Sequence, residues 1–171
     1  MKNIEVLFTE EEIQKRIKEL ANQISKDYKD KEINLICTLK GAIYFTCDLS
    51  KNIDKTVKID FLKVKSYLGK NSGVVELKSD LLPDIKGKDI IIVEDIIDTG
   101  KTLSFLKEYL EEKKPKSIKI CTLLDKPSRR VVELKADYVG FEIEDEFVIG
   151  YGLDFDEEYR NLKYIGNLKD N

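Results

Sequence analysis

The chain of 171 residues contains no histidine. That absence removes Ser-His-Asp and Cys-His nucleophilic catalysis in their usual forms, and every imidazole-ligated zinc site. Acid–base or metal chemistry must then rest on carboxylates, with lysine, arginine and tyrosine in support. A surplus of charge is also missing: 30 basic residues face 33 acidic ones, for a net of −3. Such a balance offers no electrostatic footprint for bulk nucleic-acid binding, and no nucleic-acid partner is expected. Cysteine is sparse, at three residues with no C-x-x-C pair. Cys37, Cys47 and Cys121 each sit in an apolar stretch and read as buried free thiols of a reducing compartment. No apolar run approaches the roughly 20 residues of a membrane span. The opening Met1-Lys2-Asn3-Ile4-Glu5 turns acidic before any apolar run forms, so no signal peptide is expected. A soluble, cytoplasmic protein without a membrane partner follows as the expectation. Repeats, low-complexity tracts and linkers are absent too, so residues 1–171 are expected to form one domain.

What is present alternates strand and helix patterns. Thr9-Glu10-Glu11-Glu12 reads as a capping box, and Ile13, Ile17, Leu20, Ala21, Ile24 and Tyr28 follow at helical spacing. Ile33 to Thr38 suits a buried strand, broken by Leu39-Lys40-Gly41, and Ala42 to Leu49 a second helix. Val57, Ile59 and Phe61 alternate as in a half-buried strand. Ser66 to Ser72 is polar and turn-rich. Asp89 to Glu94 carries the β-branched run of a fully buried strand. Leu103, Leu106, Tyr109 and Leu110 form the stripe of a helix ended by Pro115. Ile118 to Leu124, Tyr138 to Ile143 and Phe147 to Tyr151 read as further strands. This alternation predicts an α/β fold with a mainly parallel central sheet and flanking helices.

One segment concentrates the chemistry: Glu94-Asp95-Ile96-Ile97-Asp98-Thr99-Gly100-Lys101-Thr102. A buried strand runs into two adjacent acids, a third acid, and a small-residue turn that opens a helix. In open parallel sheets, ligands sit beyond the carboxyl ends of the strands. Backbone N–H groups and hydroxyls from Asp98 to Thr102, at a helix N-terminus, suit a phosphate. Gly100 permits close approach, while Lys101 and Thr102 add donors. Naked acids repel phosphate, so Glu94 and Asp95 suit a sugar diol, directly or through Mg²⁺, which favours oxygen ligands. The combination points to a ribose 5-phosphate pocket; the plain alternative is that the acids only cap the next helix. The segment fails the Walker A pattern, which removes the main support for a kinase or GTPase.

The segment resembles the phosphoribosyl-pyrophosphate (PRPP) signature of type I phosphoribosyltransferases. Across about Val6 to Gly166 the chain resembles, more closely, the bacterial hypoxanthine (hypoxanthine-guanine) phosphoribosyltransferases. Leu39-Lys40-Gly41 is similar to that family's pyrophosphate loop, where the peptide entering the lysine can be cis, although Ala42 replaces a second glycine found in many relatives. Ser66-Tyr67 resembles the start of the mobile lid that excludes water; Leu68 to Gly73 is only loosely similar. Leu123 to Arg130 looks like the purine-recognition segment, and Asp145 to Asp154 like the segment that closes over the base.

The resemblance implies a role for each matching residue. Glu94 to Thr102 would bind the ribose and 5-phosphate of PRPP, with Asp98 as general base. Lys40, Gly41, Arg130 and Arg160 would meet pyrophosphate. Lys126 would donate to the 6-oxo group of a purine, Phe147 would stack on its face and Val148 would offer backbone groups. Glu94, Asp95 and Asp154 would organise Mg²⁺. A small hood from the N-terminal segment and part of 126–171 would cover the base. The implied reaction transfers phosphoribose from PRPP to hypoxanthine or guanine, in a homodimer or homotetramer. Each residue also has a plainer reading: Lys40 as a solvated turn lysine, Phe147 as strand core, Asp98 as a helix N-cap. Rival functions are a nucleotide-sensing regulatory module, a Mg²⁺-dependent phosphohydrolase and a pyrimidine-specific transferase.

Overall fold

A computed structural model describes residues 3–66, 75–79 and 84–169. The first helix, α1 (Glu10–Asp27), starts at the expected capping box. The Glu12 N–H donates to the Thr9 hydroxyl at 3.3 Å, and the Thr9 N–H donates to the Glu12 carboxylate at 2.8 Å. A cap of this kind stabilises a helix by about 1 kcal/mol. Ile13, Ile17, Leu20, Ala21 and Ile24 form its buried face.

Six strands make the main sheet, in the order β4-β3-β2-β5-β6-β7. These are β2 (Ile33–Leu39), β3 (Val57–Ser66), β4 (Val75–Ser79), β5 (Asp89–Ile97), β6 (Ser117–Asp125) and β7 (Tyr138–Glu142). All neighbours pair in parallel except β4, which runs antiparallel on the edge of β3. Helices α1 and α2 (Ile43–Asn52) cover one face and α3 (Lys101–Glu112) the other. The central strand shows why its sequence is uniformly β-branched. Ile91 and Val93 pack into the α1/α2 core while Ile90 and Ile92 pack into the α3 core. Each buried side chain contributes roughly 1.5–3 kcal/mol, an upper figure because unfolded chains already bury some surface.

A second sheet, β1-β9-β8, joins the two ends of the chain. In it β1 (Asn3–Phe8) pairs antiparallel with β9 (Ile165–Lys169), which pairs with β8 (Val148–Ile149). The small sheet is tied to the helices by Tyr151, whose hydroxyl donates to Asp48 at 2.6 Å.

Several expectations need correction. The β5 strand runs three residues past Glu94, because β6 is long enough to pair with Glu94, Ile96 and Ile97. Glu94 and Asp95 therefore lie among the strand's last residues before the turn, as the sequence placed them, and they do not cap the next helix. On β3, Leu62 is the buried residue, whereas Ile59 and Phe61 remain 40% and 42% exposed. The strand expected over Phe147 to Tyr151 shortens to two residues. Cys37 and Cys121 are buried free thiols, but Cys47 is exposed on α2. Burial pushes the Cys37 thiol up to about 11.

Candidate active site

Strand order reverses at β2, which has β3 on one side and β5 on the other. A crevice opens at such a switch point beyond the carboxyl ends of the strands. Thr38, at the end of β2, donates from its hydroxyl to Glu94 at 2.7 Å, with the Val93 carbonyl also within reach at 3.0 Å. Glu94 accepts a further bond from the Asp95 N–H at 3.2 Å. Burial, and then the adjacent Asp95 charge, push the Glu94 carboxyl well above the usual carboxylate range. Gly41 lies directly against the Asp95 carboxylate, in space any larger side chain would need. The Leu39–Lys40 peptide is cis, the state the resemblance allows there.

The next turn leads into α3. Its N-cap is Gly100, in the left-handed region at φ +84, without a side-chain cap. Asp98 is thus not the cap; the Lys101 N–H at the start of α3 reaches the Thr99 hydroxyl, at a long 3.5 Å. A cavity of about 150 Å³ is lined by Glu94, Ile96, Ile97, Asp98, Thr99, Gly100, Thr102 and Leu103. Amides so weakly engaged, with a helix dipole behind them, suit an anion. Lys101 is exposed at the mouth of the helix. The Asp98 carboxylate lies 3.1 Å from Arg129, which also reaches Asp145 at 3.4 Å. Arg130 braces the turn: it donates to the Asp98 carbonyl at 2.9 Å and pairs with Asp125.

Just past the end of β6, buried Lys126 donates from its ammonium to the Glu146 carbonyl at 2.5 Å and from its backbone N–H to the Ile97 carbonyl at 2.9 Å. Phe147 is 53% exposed and meets Phe155 edge-on at 5.7 Å between centroids, so it is not strand core. Val148 beside it is buried. Residues 150–160 complete this side. Gly152, at φ +104, abuts the Gly41 carbonyl with no room for a side chain. Arg160 donates to the Gly152 carbonyl at 2.8 Å and pairs with Asp154 at 2.9 Å. Glu157 reaches Lys40 at 2.5 Å and Arg160 at 3.4 Å. Lys40 is therefore paired rather than loosely solvated. Ser66 ends β3; Tyr67 and the rest of the expected lid lie outside the described residues.

The phosphoribosyl transferase domain family matches residues 4–156. A hypoxanthine-guanine phosphoribosyltransferase from Bacillus subtilis is 53% identical over 166 residues, covering 96% of this chain and 92% of that one. The chain belongs to the hypoxanthine-guanine phosphoribosyltransferase family. A crystal structure of a hypoxanthine phosphoribosyltransferase from Staphylococcus aureus matches with TM-score 0.93 and 50% identity, covering 96% and 91% of the two chains. A hypoxanthine-guanine phosphoribosyltransferase structure from Bacillus anthracis matches with TM-score 0.94 and 47% identity, covering 99% and 100%. The type I phosphoribosyltransferase fold expected from the sequence is the observed one.

Within this family member, three site residues escaped the sequence reading. Thr38 bonds Glu94 only because β2 and β5 are neighbours, which chain order does not reveal. Asp145 and Glu157 approach arginine and lysine side chains from distant segments. Among the described residues, no three acidic or cysteine side chains converge into a ready-made metal cage. Mg²⁺ commonly takes one or two carboxylates and completes its shell with substrate phosphates and water. Glu94 and Asp95, adjacent at the crevice floor, fit that mode, whereas Asp154 is engaged with Arg160. A larger surface groove, about 710 Å³, runs between α3 and residues 132–135. Its lining mixes Lys107, Lys135, Glu108 and Glu111 without converging on a point, so it is not the reaction site.

Proposed function

We propose that this protein transfers the phosphoribosyl group of PRPP to hypoxanthine and guanine, giving the nucleoside 5′-monophosphate and pyrophosphate. The observation that carries this reading is the cavity formed by Glu94 to Leu103, where acids on a strand end adjoin the glycine-capped N-terminus of α3. Residues Asp98 to Thr102 hold the 5-phosphate, and Glu94 and Asp95 face the ribose diol. Lys126 donates to the 6-oxo group; its ammonium has three donors, of which Glu146 takes one. Phe147 lies on the purine face, an aromatic contact worth roughly 1–3 kcal/mol. Val148 contributes backbone groups to the base edge.

As the purine nitrogen attacks the sugar carbon, the bond to pyrophosphate breaks and Asp98 accepts the purine proton. The Asp98 carboxylate is held in place by Arg129, 3.1 Å away. Lys40, Gly41 and Arg160 receive the pyrophosphate; Arg130 keeps the Asp98 turn in place from the same side. The β1-β9-β8 sheet is the hood over the base. Glu94, Asp95 and, through water, Asp154 would hold Mg²⁺, whose charge would balance that of the leaving pyrophosphate. The protein orients two substrates and stabilises separating charge.

The setting is the cytoplasm, with no nucleic-acid or membrane partner. No helix among the described residues is long and apolar enough to cross a membrane. A homodimer or homotetramer is supported by apolar side chains left in solvent, Ile43 and Tyr44 on α2 and Ile59 and Phe61 on β3.

Turnover of PRPP with a panel of free bases tests the reading. Consumption of hypoxanthine and guanine, but not adenine or uracil, is expected; preference for uracil, or base-independent hydrolysis, overturns it. Turnover should also stop in excess chelator and return with Mg²⁺. Full activity in chelator would leave Glu94 and Asp95 as sugar ligands only.

A further inference from the structure

We propose that Glu157 is an internal stand-in for pyrophosphate: its carboxylate bridges Lys40 and Arg160 in the substrate-free protein and is displaced when a pyrophosphoryl group binds. The inference rests on the assignment of Lys40 and Arg160 to pyrophosphate, and it adds a residue that controls how tightly that group is held.

One Glu157 oxygen lies 2.5 Å from the Lys40 ammonium and the other 3.4 Å from the Arg160 guanidinium. A single carboxylate thus spans two cations that come from segments far apart in the chain. The loop is wound to deliver it. Asp156, Glu157 and Tyr159 all have positive φ, at 54, 65 and 71, a region that residues other than glycine occupy at a cost. The Glu157 N–H donates to Asp154 at 3.0 Å, which fixes the turn. Bonding to Lys40 holds the Glu157 carboxyl below the usual carboxylate range, so it is ionised at neutral pH.

The bridge is nonetheless weak. Glu157 is 65% exposed and Lys40 52% exposed at their side chains. An exposed ion pair changes an equilibrium by a factor of about one to five. A multiply charged pyrophosphate offers several oxygens to the same cations and prevails over one carboxylate. Arg160 also retains a buried Nε without a partner, a donor still available to an incoming anion. Two consequences follow. Before substrate arrives, Lys40 and Arg160 are held near each other with their charge balanced. After the glycosidic bond forms, Glu157 competes for the same cations and weakens the hold on the product.

The test is the affinity of the free enzyme for inorganic pyrophosphate with Mg²⁺, measured calorimetrically. Glu157→Gln keeps the shape and removes the charge, and Glu157→Ala provides a second variant free of new hydrogen bonds. Both should bind pyrophosphate roughly two- to fivefold tighter than the parent, and the KM for PRPP should fall in parallel. A merely structural role, in which Glu157 props up the loop, predicts the opposite sign. Equal or weaker binding in both variants overturns the proposal. Lys40→Met, measured alongside, separates the two layers of the argument. If it leaves pyrophosphate affinity unchanged, the pyrophosphate assignment fails and takes the inference with it. Weaker binding in Lys40→Met beside unchanged binding in both Glu157 variants would overturn the Glu157 role alone.

Discussion

From Glu94 to Thr102 the site is one uninterrupted stretch of chain, carried by a largely buried strand and the helix after it. The rest of the site is assembled from four separate segments: Leu39–Gly41, Lys126, Asp145–Val148 and Gly152–Arg160. On the first side, Glu94 is buried and its bonds come from Thr38 and its own neighbour's amide. On the second, the same kind of side chain, Glu157, stands in solvent and is held by ion pairs. Groups that must be placed accurately against a reacting carbon sit on rigid elements. Groups that must admit and release a charged product sit on loops whose contacts are individually weak.

The largest effect expected from breaking the comparison lies on the continuous side. Asp98→Asn should lower the rate of nucleotide formation by about 10² to 10⁴, the usual contribution of a general base. Because Gly100 and not Asp98 caps α3, asparagine should leave the helix and the thermal melt nearly unchanged. Near-normal single-turnover rates with intact PRPP binding would remove Asp98 from proton transfer.

On the assembled side, Lys126→Ala should reduce kcat/KM for hypoxanthine through the loss of one charge-assisted hydrogen bond. That bond is worth on the order of 1.5–3 kcal/mol, or about 10- to 150-fold. The KM for PRPP should stay within about twofold, because the Lys126 ammonium bonds to the Glu146 carbonyl and only its backbone N–H, which alanine keeps, bonds to Ile97. A loss shared equally between the two substrates would show that Lys126 supports the whole crevice rather than reading the base.

The same contrast explains what the sequence made legible. The acids, the glycine turn and the following apolar stripe are adjacent in the chain, so periodicity and turn chemistry read them directly. The parallel sheet followed from strands such as Ile90 to Val93, whose burial on both faces leaves an unbroken β-branched run. Thr38 was silent because its bond to Glu94 depends on β2 and β5 being neighbours, a product of strand order. Glu157 was silent because a glutamate in a polar stretch carries no periodic signal, and its partner Lys40 lies at the far end of the chain. The strand pairing of β1 with β9 was hidden for the same reason: the two chain ends meet only in the folded molecule. Cys47 was misjudged because an apolar stretch does not say which side of a helix faces the core.

The smallest effect concerns stability, and it places Glu94 and Glu157 in direct opposition. Burial first, and then Asp95, raise the Glu94 pKa above the ordinary glutamate value of 4.5. Below that value both folded and unfolded chains hold the proton, and Glu94 does not affect the pH dependence. As pH rises past it, the unfolded chain releases its proton while the folded chain retains it, so stability falls until the folded pKa is reached. Glu94→Gln removes this titration and keeps an acceptor for Thr38. Without substrate or divalent cation, its melting temperature should match the parent near pH 4 and exceed it increasingly toward neutrality. Each kcal/mol gained corresponds to about 2–4 °C at this chain length. Glu157 has the opposite sign, since its pKa is lowered by Lys40, and any stability it contributes is lost as pH falls. Its exposure to solvent makes that contribution negligible, so Glu157→Gln melts should overlay the parent at every pH. A Glu94→Gln melt that tracks the parent across the whole range would show that the Glu94 carboxylate is not strained by its burial. The continuous side of the site would then carry no stability cost for its chemistry.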